Sequence, residues 1–122
     1  MCKILVIDDE AAIVDIVQQA LDMYGHNVET ATNGREGITK FDSNCFDLVI
    51  TDISMPDIDG NGVVEHIRGS DKKYIPVIGI SGAAWAVEDN TFDTILEKPF
   101  PIKTLIDSVQ ELLPAHQDIA AA

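Results

Sequence analysis

Short runs of aliphatic residues recur along the chain, and they constrain the fold more than any other feature. The first three are continuous rather than alternating with polar residues, as expected for strands of a parallel sheet that helices cover on both faces. The sequence therefore predicts a buried parallel sheet. The runs are residues 4–7, 48–50, 77–80 and 95–96, with a more polar candidate at 27–31.

Two amphipathic patterns lie between or after these runs, with apolar residues three and four positions apart, as in a helix that covers a core. The first ends at Gly25 and the second stops before Pro114, which are residues typical of helix ends. Both patterns predict helices. The first stripe comprises Ile13, Ile16, Val17, Ala20, Leu21 and Tyr24, and the second comprises Ile102, Leu105, Ile106, Val109, Leu112 and Leu113.

Two further segments carry weaker helical signals, residues 34–41 and 62–67. Gly37 inside the first costs about 1 kcal/mol relative to Ala in a helix interior. The dipeptide Asn33-Gly34 is also compatible with a β-hairpin turn. A helix is preferred at 34–41 because Ile38 and Phe41 are three apart and no alternating strand follows.

Strands and helices thus alternate through five rounds, which predicts an α/β doubly wound sheet. The 122 residues fit one domain, assigned to residues 1–114, with a frayed tail at 115–122. Only 12 residues, 82–93, separate the fourth and fifth strands, which is about the minimum for a parallel crossover. The fourth helix is therefore predicted to be short, irregular or missing.

Charge and hydropathy exclude several functions. The formal net charge of −13 is the wrong sign for direct nucleic-acid binding. No apolar run approaches the roughly 20 residues that span a bilayer. A soluble, cytoplasmic protein without membrane insertion is expected.

Polar residues follow four of the predicted strands, namely Asp8 and Asp9, then Asp52, Ser81 and Lys98. Ligands of open α/β sheets bind beyond these carboxyl ends of the strands. Three carboxylates in one site would repel one another unless a cation lay between them, and Mg²⁺ suits such ligands and also binds phosphate. An amine and a hydroxyl would complete a site for phosphoryl transfer onto a carboxylate, with Asp52 central.

The same residues resemble the receiver domain of two-component response regulators, and the match extends over nearly the whole chain. The resemblance implies a flavodoxin-like sheet with strand order 2-1-3-4-5. It also implies phosphorylation of Asp52 by a histidine kinase or a histidine phosphotransfer protein. The matching motifs are Asp8-Asp9-Glu10, the segment from Asp52 to Gly60, Ser81, and Lys98-Pro99-Phe100.

The resemblance supports the same metal site and adds further details to it. Asp8, Asp9 and Asp52 would hold Mg²⁺, with the main-chain carbonyl of Ser54 as a further ligand. The peptide bond before Pro99 would be cis and would direct Lys98 into the site.

Other functions fit the residues less well. A phosphatase with an aspartyl-phosphate intermediate would carry a second Asp where Ser54 stands, and a flavin carrier would need a phosphate-binding loop where Asp8-Asp9-Glu10 stands. A calcium loop starting at Asp57 would lack its final bidentate Glu. A degenerate receiver that serves only as a binding scaffold remains the main alternative. No effector domain is visible, so the output partner is unknown.

The chain departs from the family at two places. Segment 82–93 is short, which puts the usual output face in doubt. Ile95 stands where the family usually has an aromatic residue that rotates on phosphorylation. Switching is therefore expected to depend more on Ser81 and the loop at residues 82–90.

Overall fold

A computed structural model describes residues 2–82 and 91–113. Within these ranges the chain forms five strands and four helices, and strands and helices alternate as predicted from the first strand to the fourth. In chain order they are β1 (Lys3–Ile7), α1 (Ala11–Met23), β2 (Asn27–Ala31), α2 (Gly34–Ser43), β3 (Leu48–Asp52), α3 (Gly60–Arg68), β4 (Val77–Ser81), β5 (Thr94–Glu97) and α4 (Ile102–Leu112).

The five strands form one parallel sheet in the order β2-β1-β3-β4-β5, which confirms the predicted topology. The strand order reverses between β1 and β3, so a crevice opens beyond their carboxyl ends. The register aligns these ends, since Ile7 pairs with Thr51, Asp52 with Ile80, and Ser81 with Glu97.

The sheet separates two hydrophobic cores, which explains why the strand sequences are continuously apolar. In β1, Ile4 and Val6 face the core shared with α1 and α4, whereas Leu5 and Ile7 face the core shared with α2 and α3. All four side chains are at most 1% exposed. Successive residues of a strand point to opposite faces, so both faces need apolar residues when both are covered.

The helix ends follow the local chemistry. Gly25 has φ 83° after α1, and the N–H groups of Gly25 and His26 donate to the carbonyls of Asp22 and Leu21. This is the Schellman arrangement expected for a C′ glycine. At α2 the side chain of Asn33 accepts a hydrogen bond from the Glu36 N–H, so Asn33 is a helix N-cap and the hairpin alternative is excluded.

Gly37 lies in α2 for a packing reason that the sequence does not reveal. A Cβ at this position would collide with the side chain of Ile7 in β1. The glycine therefore allows α2 to lie close to the sheet, and this contact offsets the low helix propensity of glycine.

Two predictions fall on residues outside the described ranges. The helix between β4 and β5 would occupy residues that include 83–90, and the frayed tail covers 115–122.

Ile95, the second departure from the family, lies in β5. Its partly buried side chain packs against the core on the α2 and α3 side.

Candidate functional site

The carboxyl ends of four strands bring together the polar residues singled out by the sequence. Asp8 follows β1, Asp52 ends β3, Ser81 ends β4, and Lys98 follows β5. Asp8, Asp52 and Ser81 are at most 3% exposed. Such burial is unusual for carboxylates, which are rarely enclosed without partners. The two buried aspartates therefore mark this end of the sheet as a candidate functional site.

The ammonium of Lys98 lies among three carboxylates. Its Nζ is 2.8 Å from Glu10 Oε1, 3.5 Å from Asp52 Oδ2 and 3.6 Å from Asp8 Oδ2. Only the contact with Glu10 has the length of a good charge-assisted hydrogen bond. The peptide bond between Lys98 and Pro99 is cis, as the family resemblance implies, and the Lys98 N–H donates to the Ser81 carbonyl at 2.8 Å.

The two buried carboxylates are only partly hydrogen-bonded. Asp8 Oδ1 accepts from the Glu10 N–H at 2.9 Å, but its buried Oδ2 has no hydrogen-bond partner among the described residues. Asp52 Oδ1 accepts a long bond of 3.4 Å from the Ser54 N–H. Oxygen atoms left in this state are available to a ligand, because a buried polar group without a partner is costly.

The electrostatics of the site raise the pKa of these carboxyls above that of an ordinary aspartate. Burial raises the pKa of Asp52 from 3.8 to about 6, and the charge of Asp8 adds to this effect while Lys98 opposes it. Burial likewise raises the pKa of Asp8. Burial alone would lower the pKa of Lys98, but its hydrogen bond to Glu10 and the charges of Asp8 and Asp52 outweigh this and raise it.

These residues fit a divalent cation. Carboxylate oxygens of Asp8, Glu10 and Asp52 all lie within 4.8 Å of one another. Asp8 Oδ2, which has no hydrogen-bond partner among the described residues, supports the same conclusion, because hard cations such as Mg²⁺ take carboxylate oxygens as ligands. Among the described residues this is the only group of three or more such side chains close enough to hold a metal.

Two of the expected metal ligands, Asp9 and Ser54, are not among these three clustered carboxylates. Asp9 is exposed and is not one of the three clustered carboxylates, although its charge raises the pKa of Asp52. Ser54 is also exposed, and its main chain touches Asp52 through the N–H. Glu10, which was not among the expected ligands, is the third carboxylate of the cluster.

The loop between β3 and α3 is held against the end of β3 by specific contacts. The Gly60 N–H donates to the Ile53 carbonyl at 2.9 Å, and a Cβ on Gly60 would lie 2.6 Å from the Asp52 carbonyl oxygen. Only glycine permits this approach. Asp59 accepts from the Gly62 N–H and caps α3, so it serves the helix rather than a calcium loop.

Sequence reasoning missed the role of Glu10. The residue was part of the Asp8-Asp9-Glu10 motif, but its spacing along the chain carries no sign of a contact with a residue 88 positions away. The contact is visible only in the fold, which places the half-buried Lys98 ammonium among acidic residues.

Comparisons with known proteins agree with this geometry. The sequence profile of the response regulator receiver domain matches residues 4–110. The chain is 33% identical to the transcriptional regulatory protein TrcR of Mycobacterium tuberculosis, over 91% of this chain and 45% of TrcR. It is 33% identical to the response regulator SaeR of Staphylococcus aureus, over 93% of this chain and 51% of SaeR.

Solved structures give the same result. The response regulator TrrA of Thermotoga maritima, in complex with Mg²⁺-BeF, superposes with a TM-score of 0.85 at 36% identity, covering 93% of this chain and 100% of TrrA. The chemotaxis response regulator CheY4 of Vibrio cholerae superposes with a TM-score of 0.82 at 31% identity, covering 93% of this chain and 99% of CheY4.

The chain therefore belongs to the response regulator receiver domain family, and its role is that of a receiver in two-component signalling. It is a signalling domain, and the scaffold alternative is not favoured. The chain spans about half the length of TrcR and SaeR. No helix in the described part of the chain is long and apolar enough to cross a membrane.

Proposed function

We propose that Asp52 accepts a phosphoryl group from a phosphohistidine donor, with Ser81 and Lys98 assisting the transfer. The observation that carries this proposal is the position of Asp52. It is a buried carboxylate in the crevice, 3.5 Å from the Lys98 ammonium and close to Asp8 Oδ2, which has no hydrogen-bond partner among the described residues. A carboxylate enclosed in this way, next to a cation, is arranged for reaction rather than for stability.

In the proposed step, an Asp52 carboxylate oxygen attacks the phosphorus of the donor. A P–O bond forms while the P–N bond of the phosphohistidine breaks, and the electron pair of that bond returns to the imidazole of the donor. Lys98 would neutralise charge on the phosphoryl oxygens, and the Ser81 hydroxyl would donate a hydrogen bond to one of them. The residues of the chain thus position the phosphoryl group and neutralise its charge, which are the main requirements of phosphoryl transfer.

Mg²⁺ is the cation that we assign to the site, held by Asp8 and Asp52, with Asp9 and the Ser54 carbonyl as further ligands. When bound, it would keep Asp52 ionised and neutralise phosphate charge. TrrA, which shares this fold, forms a complex with Mg²⁺-BeF, and the clustered oxygens of this chain are compatible with such an ion. The chain itself would catalyse only its own phosphorylation and slow dephosphorylation.

The partners follow from this chemistry. A histidine kinase or a histidine phosphotransfer protein would be the donor, and we place the protein in the cytoplasm with such donors. Residues 1–114 would form the receiver and 115–122 a tail. Output would pass through a protein partner, a further phosphorelay step or an effector domain. TrcR and SaeR are about twice as long as this chain, whereas TrrA is covered completely.

Intact-mass spectrometry after incubation with acetyl phosphate, with Mg²⁺ or with EDTA, tests this proposal. The wild type should gain the mass of one phosphoryl group only when Mg²⁺ is present, and Asp52→Asn should gain none. Asp57→Asn is a matched control, because Asp57 is exposed and paired with Arg35 rather than with the site. A folded wild type that binds Mg²⁺ but gains no mass, from acetyl phosphate or from a phosphohistidine donor, would point to the scaffold alternative.

A further inference from the structure

Glu10 is the nearest carboxylate to Lys98 in the described part of the chain. The Glu10 Oε1 to Lys98 Nζ distance of 2.8 Å compares with 3.5 Å for the Asp52 carboxylate. The Glu10 side chain is 59% exposed, whereas those of Asp52 and Asp8 are 4% and 1% exposed. Glu10 therefore holds the ammonium from the solvent side of the crevice, where a phosphoryl donor would have to approach.

Hydrogen bonds hold the backbone of Glu10 at the start of α1, but its side chain does not cap this helix. Its N–H donates to Asp8 Oδ1, and its carbonyl accepts from Ile13 and Val14. Glu10 is the N-cap residue of α1, yet its side chain makes no capping hydrogen bond. An N-cap side chain ordinarily bonds to the first helical N–H groups. Here the carboxylate extends across the crevice to Lys98 instead.

A phosphoryl group on Asp52 would need the Lys98 ammonium that Glu10 holds. It would also bring its oxygens close to the Glu10 carboxylate, one oxygen of which lies within 4.8 Å of an Asp52 carboxylate oxygen. Like charges at this separation repel. We propose that Glu10 slows phosphorylation of Asp52, by competing with the phosphoryl group for Lys98 and by repelling anionic donors. Glu10 is thus a positioning residue that acts through Lys98, and the inference rests on the function proposed above.

The test compares Glu10→Gln with the wild type, because glutamine keeps the shape of the side chain and removes its charge. We expect Glu10→Gln to be phosphorylated by acetyl phosphate about three- to tenfold faster. Rates are followed by intact mass at a Mg²⁺ concentration that saturates each protein. Glu65→Gln is the matched control, since it removes the same charge from an exposed position on α3 and should leave the rate unchanged.

Two further readouts separate this role from a merely structural one. The phosphorylation rate of Glu10→Gln divided by that of the wild type should decrease towards one as salt is added, because salt screens the exposed Glu10 charge. Beryllofluoride, an anion that mimics a bound phosphoryl group, should bind more tightly to Glu10→Gln when calorimetry is done with saturating Mg²⁺. A structural role for Glu10 would instead weaken binding in the variant.

Each outcome decides the question. If the wild type is phosphorylated and Glu10→Gln reacts at the same rate or more slowly, the inference is wrong while the proposed function stands. A wild type that gains no phosphoryl group would refute the proposed function and this inference together. Faster reaction of Glu10→Gln, with a salt-dependent ratio and an unchanged Glu65→Gln rate, would support it.

Discussion

The two ends of the sheet each pair a long basic side chain with carboxylates, but they do so in opposite ways. At the amino ends of β4 and β5, Arg68 donates to the carbonyls of Lys73, Ile75 and Thr91 and to Asp93. Asp93 accepts in addition from the Val77 N–H at 2.7 Å. At the carboxyl ends, Lys98 faces three carboxylates and makes one short bond, to Glu10.

The difference separates a structural network from a functional one. Around Arg68 and Asp93 the donors and acceptors are matched, so the network stabilises the fold. Around Lys98 negative charge is in excess, Asp8 Oδ2 has no hydrogen-bond partner in the described part of the chain, and the pKa of Asp52 is raised to about 6. The carboxyl end thus carries an excess of negative charge, which a metal ion would neutralise.

The largest expected effect is on the rate of phosphorylation, in Lys98→Met. Removing the ammonium should slow phosphorylation by acetyl phosphate by about a hundredfold or more, because a positioned charge near the reacting oxygens contributes on that order. Intact-mass kinetics at saturating Mg²⁺ would measure this. Lys103→Met is the control, because the Lys103 side chain is 84% exposed on α4, and it should react like the wild type. A Lys98→Met rate equal to that of the control would remove Lys98 from the mechanism.

At the other end of the sheet, Arg68→Met should lower the free energy of unfolding by about 2–3 kcal/mol while leaving the phosphorylation rate close to that of the wild type. The loss arises because Asp93 and several carbonyls would lose a charged donor. Urea unfolding measures the stability.

Arg35→Met is the matched comparison for this prediction. The Arg35 and Asp57 side chains are 70% and 63% exposed, so losing this ion pair should cost less than about 1 kcal/mol. Equal losses in the two arginine variants would contradict the assignment of the Arg68 network as a structural element.

Asp52→Asn should stabilise the protein in EDTA near neutral pH, by about 1–3 kcal/mol. Because the pKa of Asp52 is higher in the folded protein than its ordinary value of 3.8, the folded state binds the proton more tightly than the unfolded state. Stability is therefore lost as the pH rises from about 3.8 to about 6. Urea unfolding across this range should show a smaller loss in Asp52→Asn.

Mg²⁺ is the control for this prediction. Saturating Mg²⁺ should stabilise the wild type more than Asp52→Asn, because the ion binds the folded carboxylates. If Asp52→Asn is less stable than the wild type in EDTA, the prediction is wrong, because the ionised Asp52 carboxylate would then stabilise the folded protein without a metal ion.

The sequence was sufficient to predict the topology and the central residues, because both depend on simple patterns. Continuous apolar runs indicate strands covered on both faces, and polar residues directly after such strands must meet at one edge of a parallel sheet. Asp8, Asp52, Ser81 and Lys98 were found in this way. The cis bond before Pro99 was implied by the family resemblance and is confirmed.

The remaining features depend on side-chain directions that no local pattern encodes. Glu10 could have capped α1, and only the fold shows that it reaches Lys98. Arg68 could have been a solvated helix residue, but the chain beyond β4 returns Thr91 and Asp93 to it. Gly37 has a low helix propensity, and only the fold shows that a side chain at this position would collide with Ile7. In each case the deciding partner is distant in sequence.

The most direct test of Asp52 as the acceptor locates the acyl phosphate itself. Borohydride reduces a phosphorylated aspartate to homoserine, and peptide mass spectrometry then identifies its position. After incubation with acetyl phosphate and Mg²⁺, we predict homoserine at position 52, and none when EDTA replaces Mg²⁺. Modification at Asp8, Asp9 or Asp57 in place of Asp52 would contradict the assignment of Asp52 as the acceptor.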